Sequence, residues 1–377
     1  MVNLFPFKKE NYIITCQGIK MKILQILYEE EQKNNLFFDR KITISAKKTL
    51  LKGCRRSGKT TLIFDHLSLY NSEEYLYIDL NDERIKNLSF LSNLQKFIDS
   101  KNLRLLVIEG FDFSFSLPNC EEIILSTSSL HVSIKDFENL TLYPVDFEEF
   151  IAFDRRHFNI EHLFNLFANQ GTFPQIVLTN ELDAKKELQN LIKLALPNQT
   201  KFSIYKKLVE LQSTKISLFQ IYNQLKNSTK ISKDKLYEYV AQLQEEGFLY
   251  LIEKYSSPKA NKKVYLCDFA IKNALSLKKD FLKRFENIVF SELYKKYREI
   301  YYTDFIDFYL PSEHLGIICA PFSLRQSILT KLEKKSQLLQ KYNLKHIEIV
   351  SIGNEDSFSF KGLTCNVIPF WEWALQR

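Results

Sequence analysis

Short aliphatic runs alternate with longer amphipathic stretches over the first third of the chain. From Lys20 to Glu31, Met21, Ile23, Leu24 and Leu27 share one side, which predicts an amphipathic helix. Apolar runs at 49–51, 75–80, 103–108 and 122–125 predict strands, the third a fully buried one. Helical patterns at 60–69 and 88–100 separate them. Strands alternating with helices imply a parallel sheet covered on both faces.

The pattern changes past Asp146. Helices are predicted at 147–153, 160–169, 182–196 and 201–210, with a break beginning at Pro197. Two more follow, at 217–225 and 232–246, the second ending at Gly247 as a C-cap. A strand at 248–253, a polar turn containing Pro258 and a returning strand at 264–267 complete a helix, helix, hairpin order. That is the order of a winged helix-turn-helix. From about Asp280, a helix at 281–297 places Phe285, Val289 and Leu293 at four-residue steps. Strands at 299–302, 307–310, 315–319 and 346–350 then surround one helix at 323–342. The chain thus divides into residues 1–145, 146–275 and 276–377.

Composition adds few constraints. The 377 residues are 45% hydrophobic and 26% charged, as in a soluble globular class with two or three domains. No apolar run reaches the roughly 18 residues that span a bilayer, and Met1 to Glu10 lacks a signal-peptide core. A cytoplasmic protein without a membrane partner is expected. The six cysteines are scattered, with no C-x-x-C spacing, which argues for reduced thiols over zinc or disulfides. The net charge of +7 permits a DNA partner without demanding one.

The strongest chemical signal is Gly53-Cys54-Arg55-Arg56-Ser57-Gly58-Lys59-Thr60, which fits G-x-x-x-x-G-K-[ST] between a predicted strand and helix. Such a loop wraps backbone N–H groups around phosphates, and the following helix adds its positive end. Lys59 would reach the terminal phosphates and Thr60 would ligate Mg²⁺. Gly53, Arg56, Ser57, Gly58, Lys59, Thr60 and Thr61 form the candidate nucleotide-binding set. The buried strand at 103–108 leads into Glu109-Gly110, so Glu109 is the candidate metal ligand and catalytic carboxylate. A solvated strand end is the alternative for Glu109, and Asp112 lies close by. Among Ser126 to Ser129, one hydroxyl is a candidate γ-phosphate sensor, or simply a polar strand end. Arg155, Arg156, Arg55 and Arg56 are open choices for an arginine finger. No Asn-Lys-x-Asp guanine-reading motif is present, which favours ATP.

The segments at 53–61, 77–82 (Tyr-Ile-Asp-Leu-Asn-Asp), 124–129 and 142–150 (Leu-Tyr-Pro-Val-Asp-Phe-Glu-Glu-Phe) resemble a large prokaryotic family of AAA-type ATPases. So do 170–177 (Gln-Gly-Thr-Phe-Pro-Gln-Ile-Val) and 263–268 (Lys-Val-Tyr-Leu-Cys-Asp). The resemblance implies an α/β fold: an AAA-type P-loop NTPase sheet domain, a helical lid with winged helix, and a C-terminal α/β restriction-endonuclease-like domain. It implies ATP and Mg²⁺ as ligands and a nucleotide-dependent switch, with a protein partner or homo-oligomer left open. In the family the strand of Glu109 usually ends Asp-Glu; here Gly110 replaces the second acid, a degenerate Walker B motif that puts hydrolysis in doubt. The alternative is a nucleic-acid-binding protein whose degenerate nuclease-like domain is regulated by nucleotide. For that domain Glu286 or Glu292 is the candidate helical acid and Asp307 the strand acid. The strand Gly316 to Pro321 supplies neither carboxylate nor lysine, so the domain is expected to be inactive, and surface charge is the simpler reading of the acids. The helix at 232–246 shows Lys233, Asp234, Lys235, Glu238 and Gln242 outward, a mixed charge that suits packing better than DNA reading. Lys259, Lys262 and Lys263 in the hairpin turn suit DNA better.

Overall fold

The computed structural model describes residues 20–30, 39–85, 88–154, 157–339 and 341–376. They fall into two compact units, one of residues up to 142 without 54–57, the other of 143 onward with 54–57.

In the first unit a helix over 20–29 (α1) precedes β1 (Lys48–Lys52) and α2 (Lys59–Leu67). Then come β2 (Tyr75–Asp79), α3 (Leu94–Lys101), β3 (Leu105–Glu109), β4 (Glu122–Thr127) and β5 (Glu138–Thr141). The strands pair in the order β2-β3-β4-β1-β5, parallel throughout. A parallel sheet buries both faces, and its side chains alternate between them. Leu50, Leu76, Ile78, Leu106, Ile108, Ile123 and Leu125 pack with α1 and α3. Leu51, Tyr77, Leu105, Val107 and Ile124 pack with Leu62, Ile63 and Leu67 of α2. This agrees with the expected alternation of strands and helices. β5 went unpredicted because Glu-Asn-Leu-Thr is an exposed to half-buried edge strand with no apolar run. The first half of the expected helix at 88–100 is a 3₁₀ segment, Leu88–Asn93.

The second unit opens with α4 (Phe147–Ala152), α5 (Ile160–Gln170), α6 (Pro174–Val177), α7 (Glu181–Ala195) and α8 (Gln199–Glu210). Asp146 and Glu149 close a reciprocal capping box at the start of α4. Next come β6 (Lys215–Ile216), α9 (Leu218–Thr229), α10 (Lys233–Glu245), β7 (Leu249–Ile252) and β8 (Lys262–Leu266). β6, β8 and β7 form one antiparallel sheet, of which β6 was not foreseen because two residues leave no periodicity. α11 (Ile271–Leu275) and α12 (Phe281–Lys296) lead to a second sheet. It comprises β9 (Phe308–Leu310), β10 (Leu315–Cys319), β11 (His346–Ser351), β12 (Asp356–Phe360) and β13 (Leu363–Pro369), in the order β12-β13-β11-β10-β9. The expected helix at 323–342 divides at Lys335 into α13 (Arg325–Lys334) and α14 (Ser336–Leu339). The expected strand at 299–302 survives only as isolated bridges at Tyr301 and Tyr302. α15 (Phe370–Leu375) ends the unit, with Phe370 against Phe147 at 5.3 Å between ring centroids.

One side chain joins α12 to the edge of β8. Asn287 is fully buried; its amide accepts from Leu266 N at 2.9 Å and donates to Leu266 O at 3.0 Å. Gln212 Nε2 donates to Asn287 Oδ1 at 3.0 Å. The amide thus acts as one more strand residue. Asn287→Leu leaves these backbone and side-chain groups without partners, so chemical denaturation is expected to show a loss of about 2–4 kcal/mol.

Candidate functional site

The alternation in the first sheet decides where the chemistry lies. On β3, Leu105 and Val107 face α2, so Glu109, two residues on, faces it too. The same parity directs Tyr77 of β2 and Ser126 of β4 to that side. α2 begins at Lys59, directly after the glycine-containing loop.

Three predicted residues converge there. The Thr60 hydroxyl donates to Glu109 Oε1 at 2.5 Å, and Lys59 Nζ donates to Gly53 O at 2.7 Å, spanning the loop. Within the loop Ser57 N donates to Cys54 O at 3.3 Å. Arg56 has φ 72° and Gly58 φ 99°, the left-handed turns that let successive N–H groups face one concavity. Gly58 takes this conformation without strain because it has no Cβ. Thr61 follows inside α2.

Glu109 is held on its other oxygen by Tyr77, whose hydroxyl donates to Oε2 at 2.7 Å. Burial pushes the Glu109 carboxyl above its ordinary range, opposed by the Thr60 and Tyr77 hydrogen bonds and by Lys59. Asp79, opposite Glu109 in the β2–β3 register, adds like charge and pushes the same way. Burial and Glu109 push the Tyr77 hydroxyl up, so it remains a donor. Sequence reasoning passed over Tyr77 and Asp79; their signal was the period-two continuation of β2. The solvated-strand-end alternative for Glu109 does not hold, because the carboxylate is half-buried and each of its oxygens accepts a side-chain hydrogen bond.

The neighbouring positions divide. Asp112 is exposed and accepts from Ser114 N at 3.0 Å; the Ser114 hydroxyl, and then this backbone bond, hold its carboxyl below the usual range. Ser126 is buried, and among the described residues its hydroxyl has no hydrogen-bond partner. Thr127 accepts from Ser129 N at 3.3 Å. Gly110 has φ +75°, and a Cβ there would lie 2.3 Å from Asn81 Nδ2. A glutamate at that position would therefore be strained, and Gly110 is more than a simple loss of an acid. Arg155 and Arg156 lie outside the described residues.

The donor set fits a hard divalent cation: a hydroxyl and a carboxylate oxygen already meet at the helix start. The buried Ser126 hydroxyl leaves a polar group to be satisfied on the same face.

Glu286 and Asp307 meet in the second unit through a residue not foreseen for this cluster. Lys263 of β8 is buried and bridges Glu286 Oε1 at 2.6 Å and Asp307 Oδ1 at 3.1 Å. Tyr265 also donates to Glu286. The surface-charge reading of these acids is wrong, and Lys263 is not available to a nucleic-acid phosphate. Glu292 lies elsewhere: it accepts from Phe147 N at 3.3 Å. Lys262 pairs with Glu253 at 2.7 Å, and on α10 Lys235 pairs with Glu238 at 2.8 Å.

Residues 45–110 match a family model described as an AAA domain. An uncharacterized protein of Methanocaldococcus jannaschii, MJ1544, is 24% identical over 429 aligned residues, spanning 93% of this chain and 96% of that protein. Among solved structures, the Walker-type ATPase PABY2304 of Pyrococcus abyssi aligns at 16% identity and a TM-score of 0.40, over 72% of this chain and 96% of its own. The Aeropyrum pernix ORC1 protein, solved in complex with DNA, aligns at 13% identity and a TM-score of 0.31, over 73% of this chain and 93% of its own. The family match contains the loop, Lys59, Thr60, Tyr77 and Glu109 together, so the first unit is AAA-like in the region that carries its candidate site. Among the described residues no helix is long and apolar enough to cross a membrane.

One ammonium faces two carboxylates, Glu286 well shielded and Asp307 half-buried. The acids hold Lys263 in its charged form, while burial and the Asp307 charge push Glu286 up to about 7. An acid raised on folding binds its proton more tightly in the native state, so this contribution is full below about 4.5 and lost as pH rises through about 7. Glu286→Gln is expected to flatten the stability profile between those values. Lys263→Met leaves the acids unpaired and is expected to cost about 3–5 kcal/mol, read by denaturant titration near neutrality.

Proposed function

We propose that this chain binds ATP with Mg²⁺ at the 53–60 loop and acts as a nucleotide-dependent switch with slow hydrolysis. The supporting observation is the convergence of Lys59, Thr60 and the half-buried Glu109 carboxylate at the start of α2. Loop N–H groups, with Arg56, Ser57 and Thr61 alongside, hold the phosphates, and Lys59 exchanges its bond to Gly53 for phosphate oxygens. Thr60 and Glu109 hold the metal, which neutralises phosphate charge when bound. Glu109 takes the catalytic position, kept in place by Tyr77. Gly110 contributes no base, which fits slow turnover. Ser126 faces the same side and senses the terminal phosphate.

Residues 146–275 serve as a helical lid with a winged helix, and 276–377 as a nuclease-like scaffold without nuclease activity. Lys263 fills the space between Glu286 and Asp307 where a nuclease would hold its metal. The paired charges on α10 suit a packing module, so a protein partner or a second copy of the chain fits better than DNA. The proposed setting is the cytoplasm.

Mg-ATP in about hundredfold excess over its Kd stabilises the native state by about 2.7 kcal/mol, a rise of several degrees in melting temperature. Lys59→Ala is expected to abolish that rise. No shift in the unmodified protein at saturating nucleotide would sink the proposal. Glu109→Gln is expected to keep the shift and lower phosphate release about tenfold or more. Equal release by the two proteins would remove Glu109 from the catalytic position.

A further inference from the structure

The helices of the second unit enclose a cleft of about 510 Å³, the size of a site for a small organic molecule. It is walled by α5, α7, α11 and the start of α12. Leu166, Ala184, Leu188, Ala274 and Phe281 give it an apolar lining.

Arg284 projects from α12 into this lining. Its Nη1 donates to Asn169 Oδ1 at 3.3 Å, and its guanidinium lies 5.3 Å from the Phe281 ring centroid. Its Nε is buried with no hydrogen-bond partner, and no carboxylate among the described residues forms an ion pair with it. Burial is the sole cause that pushes this guanidinium below its ordinary range, so no neighbouring acid offsets the desolvation. A half-enclosed guanidinium without a counter-charge is costly unless a ligand supplies one. With Nη1 engaged by Asn169 and Nε shielded, Nη2 is the nitrogen left to donate to a ligand carboxylate oxygen.

The charges around the cleft set the ligand's charge. Arg284, Lys185 and Lys279 line the cleft together with Glu181 and Asp280, and Asp280 is also paired with Lys283 at 3.7 Å, so the cationic side chains are not all cancelled within the cleft. A dianionic phosphate draws several converging cations or a ring of backbone N–H groups, whereas a single guanidinium beside an apolar lining suits a monoanion. We infer that this cleft binds a small monocarboxylate with an apolar body, its carboxylate on Arg284 and its body against Leu166, Leu188 and Phe281.

The test uses the full chain with 3-phenylpropionate, followed by saturation-transfer NMR and calorimetry. Saturable millimolar binding is expected, and the uncharged 3-phenylpropionamide should bind about tenfold or more weakly. Arg284→Gln should lose the carboxylate's advantage while melting cooperatively. If that variant does not fold, the acid–amide comparison on the unmodified chain decides alone. Equal binding of acid and amide, absence of acid binding, or full binding by folded Arg284→Gln would each overturn the assignment. So would phenyl phosphate binding tenfold tighter than the carboxylate, since the site would then select a dianion.

Discussion

The strand side chains of the candidate nucleotide site reach their places because both faces of one parallel sheet are buried. Leu105 and Val107 cannot face solvent, and neither can Leu106 and Ile108 on the opposite side. This fixes the register of β3 and forces Glu109 toward α2. A one-residue slip would turn the carboxylate to the α1 and α3 side and expose two aliphatic residues to the wrong face. Tyr77 and Ser126 are set by the same rule on β2 and β4. Site geometry and core packing are thus one constraint, and a core substitution that shifts β3 also displaces the carboxylate.

The second unit applies a different solution to buried charge. Glu286 and Asp307 come from a helix and from the residue before β9, and the cation between them comes from a hairpin strand. Lys263 therefore joins three elements that share no local sequence. Asn287, one residue after Glu286, hydrogen-bonds the same strand three residues after Lys263. Adjacent residues of α12 thus secure β8 once by charge and once by an amide. Arg284, a turn earlier on the same helix, has the Asn169 amide as partner but no carboxylate among the described residues, and lines the cleft.

Much of the fold was legible where burial imposes a period. The strands at 48–52, 75–79, 105–109 and 122–127 were marked by apolar runs, and the capped helices by amphipathic spacing. Legibility failed where a neighbour supplies the order. β5 is held by pairing with β1, and β6 by pairing with β8. β12 was missed despite its Ser-Phe alternation, which sends Phe358 and Phe360 into the core. The expected helix at 323–342 read as continuous, yet it divides at Lys335.

The sequence by itself marked the candidate phosphate loop, because eight consecutive residues and the strand and helix beside them carry the pattern. It also determined the all-parallel first sheet, because hydrophobic period follows directly from two-sided burial. Only the tertiary structure decided that Tyr77 clamps Glu109 and that Gly110 lies in a left-handed turn against Asn81. It alone revealed that Lys263 answers Glu286 and Asp307. Tyr77 and Lys263 act across 32 and 44 residues of chain, to Glu109 and Asp307 respectively. No local pattern encodes such a contact, since it arises only once packing has brought the elements together and excluded water from between the charges.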